Sequence, residues 1–273
     1  MFLWKSTNRI AFRTDLYYNS SEIYLEELFF TLIVNFFCAV HSDVTEKEWL
    51  ALNGNVEIFL FKAYLPDADG LPTNKKGRRV SEAARNFVKM YVSQLTGMRH
   101  DSLIISAGSN GKPYIDNCGV HFNLSHCGNI VLAAFSDEEI GVDVELASRS
   151  GNAVIERIFT RGERDYIGLA RSEPEARRRF CEIWTAKEAF MKLQGAGLLG
   201  RMDFDTADAS GPLPVIRSPK WGDAEVFRRR VTLSLGEHDF IPRRKDDEVL
   251  GEAEFEICVC GSHVANADFQ VMD

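Results

Sequence analysis

Residues 140–145 read Ile-Gly-Val-Asp-Val-Glu, and this alternation of apolar and acidic residues predicts a β-strand with two different faces. Side chains two positions apart point to the same side of a strand, so Asp143 and Glu145 share one face while the valines share the other. Two neighbouring carboxylates repel each other unless a cation or a proton lies between them. The strand therefore predicts either a carboxylate pair suited to Mg²⁺ or the exposed face of an ordinary sheet.

Two long helices are predicted on either side of this strand. Apolar residues recur at helical spacing from Arg78 to Leu95 and again from about Pro174 to Gln194. Between Pro66 and Gly77, prolines, glycines and aspartates predict a loop. Strands are predicted at Val56–Tyr64, Leu103–Ser106, Phe122–Leu124, Ile130–Ser136 and Glu252–Val259. Each half of the chain thus offers strands and one long helix, with a boundary near Ser136 to Gly141.

The composition limits the class of protein. The 273 residues carry a net charge of −8, which disfavours nucleic-acid binding through a general positive field. The six cysteines form no C-x-x-C pair and no signal peptide is recognised, which predicts reduced thiols in a cytoplasmic protein. The most apolar stretch, Leu28–Val40, is shorter than the roughly 20 residues of a membrane span. Neither a nucleic acid nor a membrane is therefore expected as a partner.

A second motif lies in the C-terminal helix, where residues 184–192 read WTAKEAFMK. Glu188 and Lys192 are one helical turn apart and share a face, whereas Lys187 points about 100° away. One interpretation is a surface ion pair, which contributes little to stability. The other makes Glu188 a metal ligand and Lys192 a cation for a phosphate oxygen.

A third motif, residues 122–128 (FNLSHCG), places Ser125 beside His126 after a predicted strand. Sequence neighbours seldom have nucleophile–base geometry, and the segment matches neither a nucleophile elbow nor a standard zinc pattern. The hydroxyl, the imidazole and nearby backbone amides suit phosphate oxygens, and a hydrogen-bonded turn suits the segment equally well. Further cations lie in Lys75–Arg79 and at Lys112, and four positive charges within five residues suit an anion even in an acidic chain.

The order GKPY, FNLSH, GVDVE and WTAKEAFMKLQGAG resembles the Sfp-type 4′-phosphopantetheinyl transferases. The segment Phe159–Glu163 (FTRGE) also resembles the short motif that this family carries between the last two. The resemblance extends from about Val56 to Gly197 and weakly to Cys260. It implies an α+β, pseudo-twofold fold of two similar halves, each a small sheet packed with a long helix. The expected division is an N-terminal extension at 1–50, an N-terminal half at 51–138 and a C-terminal half at 139–273.

The resemblance also implies an activity. Enzymes of this family transfer the 4′-phosphopantetheine arm of coenzyme A to a serine of an acyl or peptidyl carrier protein, as in holo-acyl-carrier-protein synthase, and release adenosine 3′,5′-bisphosphate. The implied cofactor is Mg²⁺, the partners are coenzyme A and the carrier protein, and the implied state is a monomer. A non-catalytic relative that binds coenzyme A or a carrier protein is the first alternative, and a metal-dependent phosphohydrolase is the second.

Site roles follow from the resemblance position by position. They make Asp143, Glu145 and Glu188 the metal ligands and assign catalysis to Glu188 and Lys192. The expected coenzyme A contacts are Arg79, Lys112, Pro113, Tyr114, Ser125, His126 and Lys192. The base that activates the carrier serine is a carboxylate of this cluster, with Glu188 first, or a water held by the metal. The N-terminal extension and the insert between Arg201 and Gly251 depart from the family pattern.

Overall fold

The computed structural model describes residues 52, 54–65, 71–196, 202–236, 239–241 and 251–272. The predicted extension at 1–50 and residues 242–250 of the insert lie outside the described residues. The helices are α1 Thr73–Thr96, α2 Asn152–Ile158, α3 Arg161–Gly168 and α4 Glu173–Leu193, with 3₁₀ turns at His100–Ser102 and Val264–Asn266. The strands are β1 Glu57–Lys62, β2 Ile105–Ala107, β3 Pro113–Ile115, β4 His121–Cys127, β5 Ile130–Ser136, β6 Ile140–Leu146, β7 Ala207–Asp208, β8 Gly211–Pro212, β9 Val215–Ile216, β10 Ala224–Ser234, β11 Glu252–Gly261 and β12 Asp268–Met272.

The first sheet has the strand order β12-β1-β5-β4 and is covered by α1. Its strands pair antiparallel except for β12, the last strand of the chain, which pairs parallel with β1. In this pairing Glu57 lies opposite Asp268. Aromatic side chains fill the space between sheet and helix, with Phe59 packed edge-on against Phe87 and Tyr91. The helix holds its apolar stripe against this sheet because burial of such side chains is the main driving force of packing.

The second sheet has the order β6-β11-β10-β9 and is covered by α4. Its register places Asp143 opposite Cys258 and Glu145 opposite Glu256 on the neighbouring strand. The inner faces of the two sheets share one core, in which Ile58 and Leu132 join Val142 in a single buried cluster. The α+β class expected from the sequence is confirmed, and each four-stranded sheet carries one long helix. The division into halves at residues 138 and 139 stays a prediction.

The start of α1 differs from the prediction. The helix begins at Thr73 rather than Arg78, so the second half of the predicted loop is helical, and Gly77 lies inside the helix. Pro72 lies immediately before the helix, and Gly77 within it costs about 1 kcal/mol relative to alanine. Ser81 lies inside the helix and donates its hydroxyl to the Gly77 carbonyl, 2.9 Å away.

Helix α1 ends one residue after the predicted Leu95, where Gly97 adopts a left-handed φ of 67° and donates its N–H to the Ser93 carbonyl. The five described cysteines, Cys118, Cys127, Cys181, Cys258 and Cys260, are free thiols, as predicted. Within the described ranges, no helix combines the length and the apolar character needed to span a membrane.

Candidate functional site

The site is built where α4 crosses β6. Ser172 caps the start of this helix, since its hydroxyl accepts the Glu175 N–H at 3.3 Å, and Pro174 lies in the first turn. It lies so close to the strand that a Cβ on Gly141 would come within 2.1 Å of the Ala189 carbonyl oxygen. Glycine at this position therefore lets the helix approach the strand directly beside Asp143.

Three side chains from three elements meet at this crossing. The Lys192 ammonium lies 2.7 Å from Asp143 Oδ1 and 2.9 Å from Ser125 Oγ. The Ser125 hydroxyl donates to the same Asp143 oxygen at 2.8 Å. The ammonium is thus held by a carboxylate from β6 and a hydroxyl from β4, and its side chain remains 29 % exposed. A cation fixed in this way at the protein surface is suited to an anionic ligand.

Two carboxylate oxygens beside this triangle have no hydrogen-bond partner. They are Asp143 Oδ2 and Glu188 Oε1, and both are buried. Burial raises the pKa of Glu188 to about 7, with the Asp143 charge adding to the effect and Lys192 and Arg149 opposing it. Buried oxygens without partners are costly, so a cation or a proton is needed to neutralise this pair.

Glu145 lies on the same face of β6 as Asp143 but is already engaged. Its carboxylate forms an ion pair with Arg149 and accepts the Trp184 indole N–H at 3.3 Å. The Arg149 guanidinium also lies over the Trp184 ring, 5.3 Å from its centroid. Trp184 therefore orients Glu145 through its indole N–H, and Arg149 is a member of the site that the sequence did not indicate.

His126 lies at the end of β4 next to Ser125, as the motif required. Burial lowers its pKa, and the nearby Lys192 charge lowers it further. Its Nε2 lies 3.5 Å from the Ser81 hydroxyl of α1, so the histidine faces the N-terminal half of that helix. Arg79 lies on an exposed part of the same helix, two residues before Ser81. The structure thus brings His126 into the cluster and places Arg79 on the helix beside it.

The GKPY segment approaches the site from the C-terminal end of α4. Lys112 donates to the Leu193 carbonyl at 3.0 Å and forms an ion pair with Glu139. Pro113 and Tyr114 follow on β3, where the tyrosine is 42 % exposed. Lys112 also lines a cavity of about 460 Å³ whose other walls include Glu139 and Ser262. The segment is therefore adjacent to Lys192 along the helix but is not part of the hydrogen-bonded cluster.

The carboxylates fit a hard cation in part. Within the described ranges, no three His, Cys, Asp or Glu side chains converge closely enough to form a ready metal-binding group. Arg149 holds Glu145, whereas Asp143 and Glu188 each present one unpartnered buried oxygen. Oxygen ligands of this kind suit Mg²⁺, which commonly takes one or two carboxylates and completes its shell with substrate phosphates and water.

A second ion pair on α4 was missed by the sequence reasoning. Lys187 and Glu163 are both fully buried, with 3.0 Å between Nζ and Oε1. The ammonium also donates to the carbonyls of Met202 and Phe204, and Glu163 Oε1 accepts from the Thr206 backbone and hydroxyl. The helical wheel directed Lys187 away from the site, but its partner lies in α3, and helical spacing gives no sign of that.

Comparison with known proteins matches residues 139–228 to the family model described as the 4′-phosphopantetheinyl transferase superfamily. The match begins just before β6 and includes α4, so it covers both elements that cross at the site.

Individual relatives carry the same name. The chain is 34% identical over 113 residues to the 4′-phosphopantetheinyl transferase ffp of Bacillus subtilis, which is 41% of this chain and 50% of that protein. It is 32% identical over 113 residues to the transferase Sfp of Bacillus subtilis strain 168, with the same shares of 41% and 50%. With HetI of Nostoc sp. PCC 7120 the identity is 28% over 159 residues, 55% of this chain and 66% of HetI.

The chain spans about half the length of the first two of these relatives. The matches support the resemblance to the Sfp-type 4′-phosphopantetheinyl transferases that the motifs indicate.

Proposed function

We propose that this chain, as a member of the 4′-phosphopantetheinyl transferase superfamily, transfers the phosphopantetheine arm of coenzyme A to a serine of an acyl or peptidyl carrier protein. The acceptor makes it an enzyme of the holo-acyl-carrier-protein synthase type. The observation that carries the proposal is the cluster of Lys192, Ser125 and Asp143 with the unpartnered oxygens of Asp143 and Glu188 beside it. A cation next to uncompensated carboxylates suits a pyrophosphate bound together with a divalent metal.

The reaction is a phosphoryl transfer. The carrier serine oxygen forms a bond to the phosphorus that bears the pantetheine arm, and the bond from that phosphorus to the bridging pyrophosphate oxygen breaks. Adenosine 3′,5′-bisphosphate leaves with the bridging oxygen, and the serine proton goes to a base. Catalysis of such a step depends mainly on positioning and on stabilisation of the charge that develops on the leaving oxygen.

The residues of this chain have distinct tasks in that step. Lys192 donates to a pyrophosphate oxygen, and its own position is fixed by Asp143 and Ser125. Ser125 and His126 bind phosphate oxygens at the end of β4. Glu188 is the proposed base and takes the serine proton at the carboxylate oxygen that does not hold the metal.

Mg²⁺ is the proposed cofactor, with Asp143 and Glu188 as its ligands and Glu145 as a third ligand once Arg149 releases it. When bound, the metal offsets negative charge on the pyrophosphate. On the opposite side of the site, Lys112, Pro113 and Tyr114 are the proposed contacts for the adenine and its phosphate. Arg79 is proposed to bind the 3′-phosphate from helix α1.

Intact mass spectrometry of apo carrier proteins tests the proposal. Acyl and peptidyl carriers are incubated separately with the full chain, coenzyme A and Mg²⁺. We expect a gain of one phosphopantetheine unit, and its loss with a chelator. Asp143→Asn should slow the gain about 100-fold or more, whereas Asp101→Asn, at an 85 % exposed aspartate, is the matched control. Coenzyme A binding without a mass gain on any carrier would support a binding relative, and acceptor-independent release of adenosine bisphosphate would support a hydrolase.

A further inference from the structure

A short segment of the insert between β10 and β11 contacts the turn that follows His126. Residues 239–241 lie against Gly128 and Asn129, the two residues that join β4 to β5. Asn129 donates its backbone N–H to the Phe240 carbonyl at 3.1 Å, and the Phe240 N–H donates to Asn129 Oδ1 at 3.2 Å. We call residues 239–241 the strap.

The contact between strap and turn is too close for any residue but glycine at position 128. Gly128 has a left-handed φ of 63°, and a Cβ there would lie 1.9 Å from the Phe240 carbonyl oxygen. The turn therefore has both the backbone freedom and the missing side chain that this contact requires. It is two residues from His126, so the strap fixes the end of the strand that presents Ser125 and His126.

The strap is itself anchored to the first sheet. Asp239 accepts the Asn129 side-chain amide at 2.7 Å and pairs with Lys62 of β1 at 3.3 Å. It also accepts the Gly236 N–H at 2.7 Å. Three contacts on one carboxylate hold the residue before Phe240 in a defined place.

The Phe240 side chain packs against helix α1. It packs against the small apolar cluster of Ala63, Val80, Ala84 and Val131. The Lys76 ammonium lies over the ring, 5.4 Å from its centroid, a distance at which a cation is attracted by the aromatic face. Lys76 lies five residues before Ser81, whose hydroxyl is 3.5 Å from His126, so one helix carries both contacts.

We propose that Phe240 is a positioning residue for the phosphate-binding side of the coenzyme A site, where it holds the turn after His126 and directs Lys76 toward a nucleotide phosphate. The proposal rests on the proposed function. It assigns Lys76, rather than the neighbouring Lys75, as the cation of the Lys75–Arg79 group that is set in place by the rest of the fold. Because Lys76 contacts the ligand through its charge alone, the effect is on affinity and leaves the phosphoryl-transfer step unchanged.

The test compares coenzyme A with 3′-dephospho-coenzyme A by isothermal titration calorimetry and by transfer kinetics. Phe240→Leu retains apolar packing but removes the aromatic face, and Phe240→Tyr restores that face. We expect Phe240→Leu to weaken coenzyme A binding about twofold to fivefold, with KM raised and kcat unchanged. Phe240→Tyr should bind as the wild type does. If Lys76 binds the pyrophosphate, Phe240→Leu should weaken the binding of dephospho-coenzyme A by the same factor. If Lys76 binds the 3′-phosphate, the affinity for dephospho-coenzyme A should be the same in Phe240→Leu and wild type.

Lysine variants test the proposal without changing the packing of Phe240. Lys76→Ala should reproduce the loss of affinity, and the double variant with Phe240→Leu should bind no worse than Lys76→Ala alone. Lys75→Ala removes the same charge one residue away and should have the smaller effect. Equal losses from the two lysine variants, or wild-type affinity in a folded Phe240→Leu variant, would overturn the proposal. If the wild type binds no coenzyme A, the proposed function itself fails and this inference fails with it.

Discussion

Helix α4 carries two lysines that each pair with a carboxylate from another element, and the two pairs differ in what they leave unsatisfied. Lys187 and Glu163 are both fully buried, and every polar atom of the pair has a partner. Lys192 and Asp143 are 29 % and 6 % exposed, and beside them one oxygen of Asp143 and one of Glu188 have no partner.

We infer that the difference distinguishes an ion pair that stabilises the fold from one that serves the proposed function. A buried pair that is fully hydrogen-bonded joins elements firmly, and removal of one partner leaves an uncompensated charge. The pair at Lys192 instead keeps unsatisfied carboxylates within reach of an exposed ammonium, which costs stability in the free protein. Such a cost is commonly found at binding and catalytic sites. We therefore expect variants of the first pair to alter folding and variants of the second to alter transfer.

The largest effect is expected from Lys187→Met. It leaves Glu163 buried without its cation, and the free energy of unfolding should fall by about 3–5 kcal/mol. Urea denaturation measures the loss, and Lys192→Met should lose about 1 kcal/mol or less because Lys192 is itself 29 % exposed and solvent can replace its ammonium beside Asp143. Equal losses in the two variants would remove the distinction between the pairs.

Asp143→Asn should lower the rate of transfer strongly and change the stability of the fold little. The rate of carrier modification should fall about 100-fold to 1,000-fold, because the variant loses both a proposed metal ligand and the group that fixes Lys192. The urea midpoint should change little, since the substitution also relieves repulsion with Glu188. Initial rates and denaturation are measured on the same preparation. A destabilised Asp143→Asn variant with unchanged kcat/KM would mean that this pair is structural too.

The pH dependence of stability sharpens the comparison in metal-free buffer. Burial, with the Asp143 charge next, raises the pKa of Glu188 from 4.5 to about 7. The folded chain therefore binds this proton more tightly than the unfolded chain, and the associated stability is complete below about pH 4.5 and lost as the pH rises through about 7. Glu188→Gln cannot ionise, so its decline over this range should be smaller by on the order of 2 kcal/mol. Denaturation at several pH values gives both curves, and parallel curves would contradict the assigned environment of Glu188.

The smallest effect is expected from Arg149→Ala. The variant releases Glu145 for metal binding, so the Mg²⁺ concentration that gives half-maximal transfer should fall a few-fold. The loss of stability should be about 1 kcal/mol or less, because this ion pair is partly exposed. Titration of transfer activity with Mg²⁺ measures the change, and Arg149→Lys serves as the charge-conserving control. Abolished transfer in Arg149→Ala alone would mean that Arg149 contacts the substrate.

The local sequence pattern was sufficient to predict the two elements that carry Asp143 and Lys192. Alternation predicted β6, and apolar periodicity predicted α4 to within a residue at each end. The two faces of β6 also follow from alternation, since Val142 and Val144 lie in the core. The motif order then suggested that Ser125, Asp143 and Lys192 belong together, although their mutual distances required the folded structure.

Long-range contacts account for what the sequence did not reveal. The partner of Lys187 comes from α3 and from the backbone at 202–206, and the strap reaches the β4–β5 turn from more than a hundred residues away. Strand β12 pairs with β1 across nearly the whole described chain. No local periodicity encodes such pairings. The beginning of α1 was missed for a different reason, because Gly77 indicates a loop by composition and residues 73–79 carry no apolar side chain that would mark a helix before Val80.

A crystal structure of the full chain with coenzyme A and Mg²⁺ tests the central claim most directly. The account predicts the pyrophosphate within hydrogen-bond distance of Lys192 Nζ, a metal held by Asp143 and Glu188, and Lys187 still paired with Glu163. Coenzyme A bound away from Lys192, for example in the cavity beside Glu139 and Ser262, with both carboxylates free of metal, would contradict it.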